Sequence, residues 1–333
     1  MSKIAVIQTA FPGDVILSTP IFESLYSVGH QVVAVVRSQA ETLVRYNEFL
    51  ERVIIHDKKG GLVAFLKTVS DLKRENCDIA LVVQKHLRSA LLALYAGIPR
   101  RIGYKIACGH SLYTDEAPFD RTVHAVHRAL ELCRGLSPVQ GFTPKIFIEK
   151  KTREDRWDFL KAQGIDPEKY MVLAPGSIWA TKRWPFYARL AELLGEAFRS
   201  DIVLIGSKDD QALCEDIAVK SKWPVKNLAG ATDLLLSTVI IEGAKLVVAN
   251  DSAPAHIAAA VDTPLVAIFG PTVTSFGFAP FSDSSAVVEN VGLYCRPCSP
   301  HGPQKCPEGH FRCMKEVTPE RVLEKCKEIL AEG

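Results

Sequence analysis

No Asp-x-Asp triplet occurs anywhere in the chain, so the usual carboxylate pair for holding a metal against a nucleotide diphosphate is missing. The turn after the first apolar run, Gln8-Thr9-Ala10-Phe11-Pro12-Gly13-Asp14, has one glycine where a dinucleotide fold would carry G-x-G-x-x-G. It also ends on a carboxylate, which would repel a diphosphate. Both points count against a nicotinamide oxidoreductase. No apolar run approaches the length of a transmembrane helix. The net charge of +2 is too small to suggest nucleic-acid binding. No export signal is read at the start, where Met1-Ser2-Lys3 leads straight into Ile4-Ala5-Val6-Ile7. The expectation is a cytoplasmic protein, whose nine cysteines are reduced thiols or metal ligands before they are disulfides.

What is present is the makings of two α/β domains. The 333 residues, 47% hydrophobic and 23% charged, can fill two cores of ordinary size. Short β-branched runs alternate with helical stretches twice over, which predicts parallel sheets with helices on both faces. The boundaries expected are a first domain over 1–150, a second over 151–315, and a terminal helix over 316–333 packing back towards the first. Charge is uneven between the halves. Residues 1–150 hold 19 Lys/Arg against 14 Asp/Glu, a net +5, and residues 151–333 hold 21 against 24, a net −3. A basic first half suits an acidic ligand, and a few surplus surface lysines explain it as well.

The stretch Leu246–Ala260, LVVANDSAPAHIAAA, reads as a buried strand stopped by Asn250-Asp251-Ser252, followed by a helix with Ser252 as N-cap and Pro254 in its first turn. Free backbone N–H groups at such a helix start, with His256 beside them, suit a phosphate. Ordinary capping explains the same residues. The loop Ser177–Trp184, the Gly206-Ser207 turn and Asn250–Ala253 should end on one sheet edge, where open parallel sheets bind ligands. There Lys182 offers a point charge, and Ser177, Thr181 and Ser252 offer hydroxyls. In the first half Asp14 is either an N-cap, on a helix expected from about Val15 to Val28, or a general base at the mouth of a cleft. A helix expected over Arg121–Cys133 puts Arg121, His124 and Arg128 on one stripe. That stripe is either solvated decoration or, with Lys85 and Arg88, a surface for an acidic sugar. Cys295, Cys298, Cys306 and Cys313 follow the spacing C-x2-C-x7-C-x6-C. They admit a structural zinc, with His310 as a spare ligand, or a loop held by packing or disulfides.

Taken together, Gly13–Pro20 (GDVILSTP), the APGSIWATKRWP loop at 174–185, NDSAPAH at 250–256, FGPT at 269–272 and the tail CRPC…KCPEGHFRCM resemble family 9 glycosyltransferases, the ADP-heptose:lipopolysaccharide heptosyltransferases. The tail is similar to their heptosyltransferase II branch. The resemblance implies a GT-B fold, two doubly wound Rossmann-like domains with an interdomain cleft. It implies inverting transfer of heptose from ADP-L-glycero-D-manno-heptose to an inner-core acceptor of Kdo and heptose on lipid A, with no cofactor required for catalysis. Asp14 matches the family's base and Lys182 its phosphate-binding lysine. Ser177, Thr181, Gly206, Ser207, Asp251, Ser252, Ala253 and His256 fall on its donor site. Lys85, Arg88, Arg121, His124 and Arg128 are the acceptor candidates. The enzyme would work at the cytoplasmic face of the inner membrane as a peripheral protein. Two departures stand out: Ala253 replaces a frequent glycine, and Ser207-Lys208-Asp209 replaces an acid that would hold the ribose. A different nucleotide sugar or acceptor, or a catalytically silent sugar- or nucleotide-binding module, are the alternatives.

Overall fold

The structure, a computed structural model, describes residues 1–332. The chain divides into two compact units, one over Met1–Phe147 and a second that begins at Ile148. The first contains strands β1 (Lys3–Gln8), β2 (Gln31–Arg37), β3 (Arg52–His56), β4 (Ile79–Val82), β5 (Arg100–Tyr104) and β6 (Asp115–Ala117), in the order β3-β2-β1-β4-β5-β6. All neighbours are parallel. The central strands are the most apolar: Ile4–Ile7 and Val32–Val36 are wholly buried, as expected of strands covered on both faces.

The second unit repeats the plan. Its strands are β7 (Tyr170–Ala174), β8 (Asp201–Leu204), β9 (Val225–Asn227), β10 (Val247–Asn250), β11 (Leu265–Phe269) and β12 (Ser285–Glu289), in the order β12-β11-β10-β7-β8-β9. In each sheet the order reverses beside the first strand, between β1 and β4 and between β7 and β10. A crevice opens at such a reversal beyond the carboxyl ends of the strands. Asp14 and Lys85 follow β1 and β4. Ser177–Lys182 and Asp251 follow β7 and β10.

Several local expectations are corrected. The helix expected from about Val15 to Val28 is two helices, Pro12–Ser18 and Pro20–Ser27. Pro20 has no N–H to give and its ring crowds the carbonyl a turn earlier; Ile16 O instead accepts the Thr19 hydroxyl at 2.8 Å. Phe11 is the N-cap, so Asp14 lies inside the first turn and is not the capping residue. The helix expected over Arg121–Cys133 is only Ala125–Glu131, with His124 as its N-cap, accepting from Val126 N at 3.2 Å. Arg121 therefore precedes the helix, and no basic helical stripe exists. Three edge strands, β6, β9 and β12, stand where no strand is read from the sequence.

The terminal helix Pro319–Glu332 packs on the second unit itself, against the helix Tyr187–Phe198 and strands β11 and β12. Its apolar stripe, expected to face the first unit, has a partner within the second. Val322, Cys326 and Ile329 join Leu190, Leu194 and Ile268 in one core. Val322 is fully buried. Val322→Ala should therefore lower the unfolding free energy by about 2 kcal/mol, measured by urea denaturation. A change near zero would show that the helix is not part of this core.

Candidate active site

In the second unit the site is organised by Asn250, the last residue of β10 and wholly buried. Its carbonyl oxygen accepts from Trp184 N and from the Tyr187 hydroxyl, each at 3.2 Å, and its amide donates to Pro175 O at 2.8 Å. Both ends of the 175–184 loop are thus tied to the end of one strand. The loop brings the Lys182 ammonium to Asp251 Oδ2 at 2.6 Å, and the same oxygen accepts the Thr272 hydroxyl at 2.7 Å. Lys182 and Asp251 are each only about a tenth exposed, at 11% and 10% of their side-chain surface. Lys182 Nζ also approaches Asp251 O at 3.3 Å, which leaves part of its donor capacity for a ligand.

The cysteine-rich segment buttresses this loop. Gln304 donates to Ile178 O at 3.0 Å and accepts from Ala180 N at 3.1 Å. Thr181 gives its hydroxyl to Pro303 O, so that expected donor-site hydroxyl is an anchor of the loop. Trp179 stacks on His301 at 6.0 Å, and Cys298 N donates to Pro271 O at 2.9 Å. Ser177 faces its own turn, accepting from Trp179 N at 3.3 Å. Ser252 is at the N-cap of the helix Ala253–Ala260, yet its hydroxyl turns back to Asn250 O at 3.3 Å. Ala253 opens that helix and His256 is buried within it. Ser207 gives both its N–H and its hydroxyl to Asp210 Oδ2, at 3.0 and 2.7 Å. Asp210 is packed so closely that a Cβ on Gly176 or Gly206 would strike it. The sequence reading missed Asp210, Gln304 and Thr272.

In the first unit Asp14 sits among cations. It is within electrostatic reach of Lys58, Lys85 and Arg128. Arg37 and Arg88 act on Lys58, and Arg121 acts on Lys85. Burial, then this mutual repulsion, pushes both lysines below their ordinary value. Burial alone does so for Arg128. Lys85 and Arg128 share the ring of Phe119, at 4.3 and 5.2 Å from its centroid. Of the expected acceptor residues the structure brings Lys85, Arg88, Arg121 and Arg128 into this cluster, while the His124 ring caps its helix. Lys58 and Arg37 were not foreseen, since neither belongs to a motif and only the fold brings the end of β2 and the turn after β3 to this cluster.

The comparisons with known proteins fit this arrangement. The pattern described as "Glycosyltransferase family 9 (heptosyltransferase)" matches residues 65–308. The chain belongs to this family. It is 29% identical to the lipopolysaccharide heptosyltransferase 2 of Escherichia coli K12, over 98% of each chain. Two solved structures share its fold. A family 9 glycosyltransferase from Veillonella parvula matches with a TM-score of 0.90 at 21% identity, over 100% of this chain and 98% of that one. The E. coli ADP-heptose LPS heptosyltransferase II matches with a TM-score of 0.82 at 25% identity, over 99% of each. The GT-B-like plan of two doubly wound units is thereby that of a family 9 glycosyltransferase.

The C-terminal cysteines of this glycosyltransferase do not fit the zinc site considered from their spacing. Cys295 Sγ lies 3.9 Å from His310 Nε2, and Cys298 Sγ donates to Cys295 O at 3.3 Å. Among the described residues no three His, Cys, Asp or Glu side chains are grouped to hold a metal. Burial pushes the Cys298 thiol up, and that of Cys313 to about 11. Nor is any helix among the described residues long and apolar enough to cross a membrane.

Two expectations follow from these contacts. Asn250→Ala would leave the Trp184 N–H and the Pro175 carbonyl without this partner and the Tyr187 hydroxyl with only Ala174 O, at 3.4 Å, lowering the unfolding free energy by about 3 kcal/mol; urea denaturation that shows a loss under roughly 1 kcal/mol would contradict the hub. The second concerns His56, buried at the end of β3. Thr68 donates its hydroxyl to Ala64 O at 2.9 Å, so it accepts from His56 Nδ1–H at 2.9 Å. Nε2 is buried without a hydrogen-bond partner among the described residues. Burial, then Arg88 and Lys58, lowers this imidazole from 6.5 to about 4. The unfolded chain thus takes the proton first as the pH falls. The stability contributed by neutral His56 is complete above 6.5 and declines from there to about 4. Denaturation midpoints should fall across that window, and less steeply in His56→Gln.

Proposed function

We propose that this glycosyltransferase moves heptose from ADP-L-glycero-D-manno-heptose to a lipopolysaccharide inner-core acceptor carrying Kdo and heptose on lipid A. The observation that carries the proposal is the division of charge between two switch points. At one stands a carboxylate, Asp14, among cations; at the other stands an ammonium, Lys182, seated by Asp251. The names of the E. coli relative and of its solved counterpart supply the sugar and the acceptor class.

In this mechanism Asp14 takes the proton from an acceptor hydroxyl as its oxygen bonds to the anomeric carbon. The bond from that carbon to the diphosphate breaks on the opposite face, which inverts the centre. Charge growing on the departing ADP is met by Lys182 and by the free N–H groups at the start of the helix Ala253–Ala260. Asp251 holds the ammonium in place beforehand, so little reorganisation accompanies bond breaking. Carboxylates and phosphates of the acceptor meet Lys58, Lys85, Arg88, Arg121 and Arg128. No residue set argues for a catalytic metal, and the chain works as a peripheral protein at the cytoplasmic face of the inner membrane. Transfer from another nucleotide sugar is the alternative. One observation favours it: the hydroxyl after Gly206 is turned onto Asp210 and not towards a ribose.

The test is transfer by the purified chain to an acyl-free inner-core acceptor, followed by mass spectrometry, with ADP-heptose set against other nucleotide sugars. Asp14→Asn should slow transfer about a thousandfold, and Lys182→Ala about a hundredfold with a raised donor KM. EDTA should change neither rate nor product. Full activity in Asp14→Asn would overturn the assigned base, and turnover only with another donor would overturn the named sugar.

A further inference from the structure

The segment from Lys58 to Lys67, KKGGLVAFLK, carries three lysines and no carboxylate, and the next acid along the chain is Asp71. It turns at Gly61, whose φ of +60° favours glycine, and enters the helix Gly61–Glu75. One face of that helix is buried through Phe65, Thr68, Val69 and Leu72. The other face should be polar in an ordinary surface helix. Instead Leu62, Val63 and Leu66 are 70%, 80% and 55% exposed. Leu62 and Leu66 are one turn apart and Val63 lies beside them, with Lys67 a turn beyond Val63. The tip is held firmly. Arg88 donates to Gly61 O at 2.7 Å and its guanidinium covers the Phe65 ring at 5.6 Å. Phe65 meets Tyr95 edge-on at 6.1 Å. The carboxylate of Asp57 is turned onto the backbone, accepting from Lys59 N at 2.8 Å.

We propose that this tip docks the first unit on an anionic lipid bilayer. The three aliphatic side chains enter the headgroup boundary while Lys58, Lys59 and Lys67 meet lipid phosphates, the pairing of apolar tip and basic rim that suits such a surface. A second copy is a poor occupant, because a two-fold contact through this patch would set these lysines against their own counterparts. The patch also adjoins the candidate acceptor site, since Lys58 is within electrostatic reach of Asp14. The choice of a bilayer over a soluble protein rests on the lipid-anchored acceptor proposed above. Docking here would bring the headgroup of that acceptor to the carboxylate.

The experiment sediments the full chain with vesicles of phosphatidylcholine alone and of phosphatidylcholine mixed with phosphatidylglycerol. Binding is expected to the mixed vesicles only, weakening as salt rises. The combined variant Leu62→Ser, Val63→Ser, Leu66→Ser should bind at least about tenfold more weakly, and so should Lys59→Glu with Lys67→Glu. Both variants should keep the unaltered rate on a soluble, acyl-free acceptor, which also shows that they fold, and lose rate on acceptor embedded in vesicles. The proposal is overturned if the unaltered chain ignores the mixed vesicles. It is equally overturned if the aliphatic variant sediments as well as the unaltered chain, or if that variant changes the oligomeric state and not the sedimentation. Failure of the transfer reaction itself would appear separately, as absence of product from the unaltered chain and soluble acceptor, with vesicle binding unaffected.

Discussion

One buried carboxamide governs the second unit. Asn250 closes β10, and its side chain joins the strand end to Pro175, Trp184 and Tyr187. No other side-chain type offers an acceptor and a donor in that geometry without bringing a charge into a buried place. The Lys182 loop is long and has little regular structure of its own. Without this tie it would have to be ordered by surface contacts, which are weak. With it, an ammonium can be stationed beside Asp251 before any ligand arrives, and a diphosphate then competes for a cation already in position.

The first unit solves the complementary problem. Its Asp14 carboxylate is within electrostatic reach of Lys58, Lys85 and Arg128. Burial makes Lys58 and Lys85 harder to keep charged, and repulsion from neighbouring cations adds to that. An incoming polyanion relieves both. In the proposed reaction, selectivity for an acidic acceptor would come from the unfavourable state of the unliganded cluster as well as from attraction. Phe119, lying against two of the cations, fixes them with little need for further carboxylates.

Much of this was legible in the order of residues, and the parts that were not share a physical cause. The central strands are covered on both faces, so Ile4–Ile7 and Val247–Ala249 must be apolar and announce themselves. The edge strands β6, β9 and β12 have fewer neighbours to bury against, and a run such as Asp115-Glu116-Ala117 carries no pattern. Asp14, Lys182 and Asp251 were found because their motifs resemble a family. Lys58, Arg37, Asp210 and Gln304 were not, since they reach the site by tertiary placement alone. Of the two readings open for Arg128, solvated decoration does not hold: the residue is buried, donating to Val123 O at 2.6 Å. Thr181 faces inward because a segment far along the chain supplies its acceptor. The partner of the terminal helix was not legible either, as an amphipathic stripe tells that a helix packs but not on what.

The Gln304 clasp has a consequence for biosynthesis. The turn that carries Lys182 takes its shape from a carboxamide 124 positions after Ala180. A nascent chain emerging from the ribosome has released every strand of both sheets while that turn still lacks its fastening. The final shape of the loop therefore arrives last, with the tail, together with the helix that completes the second core.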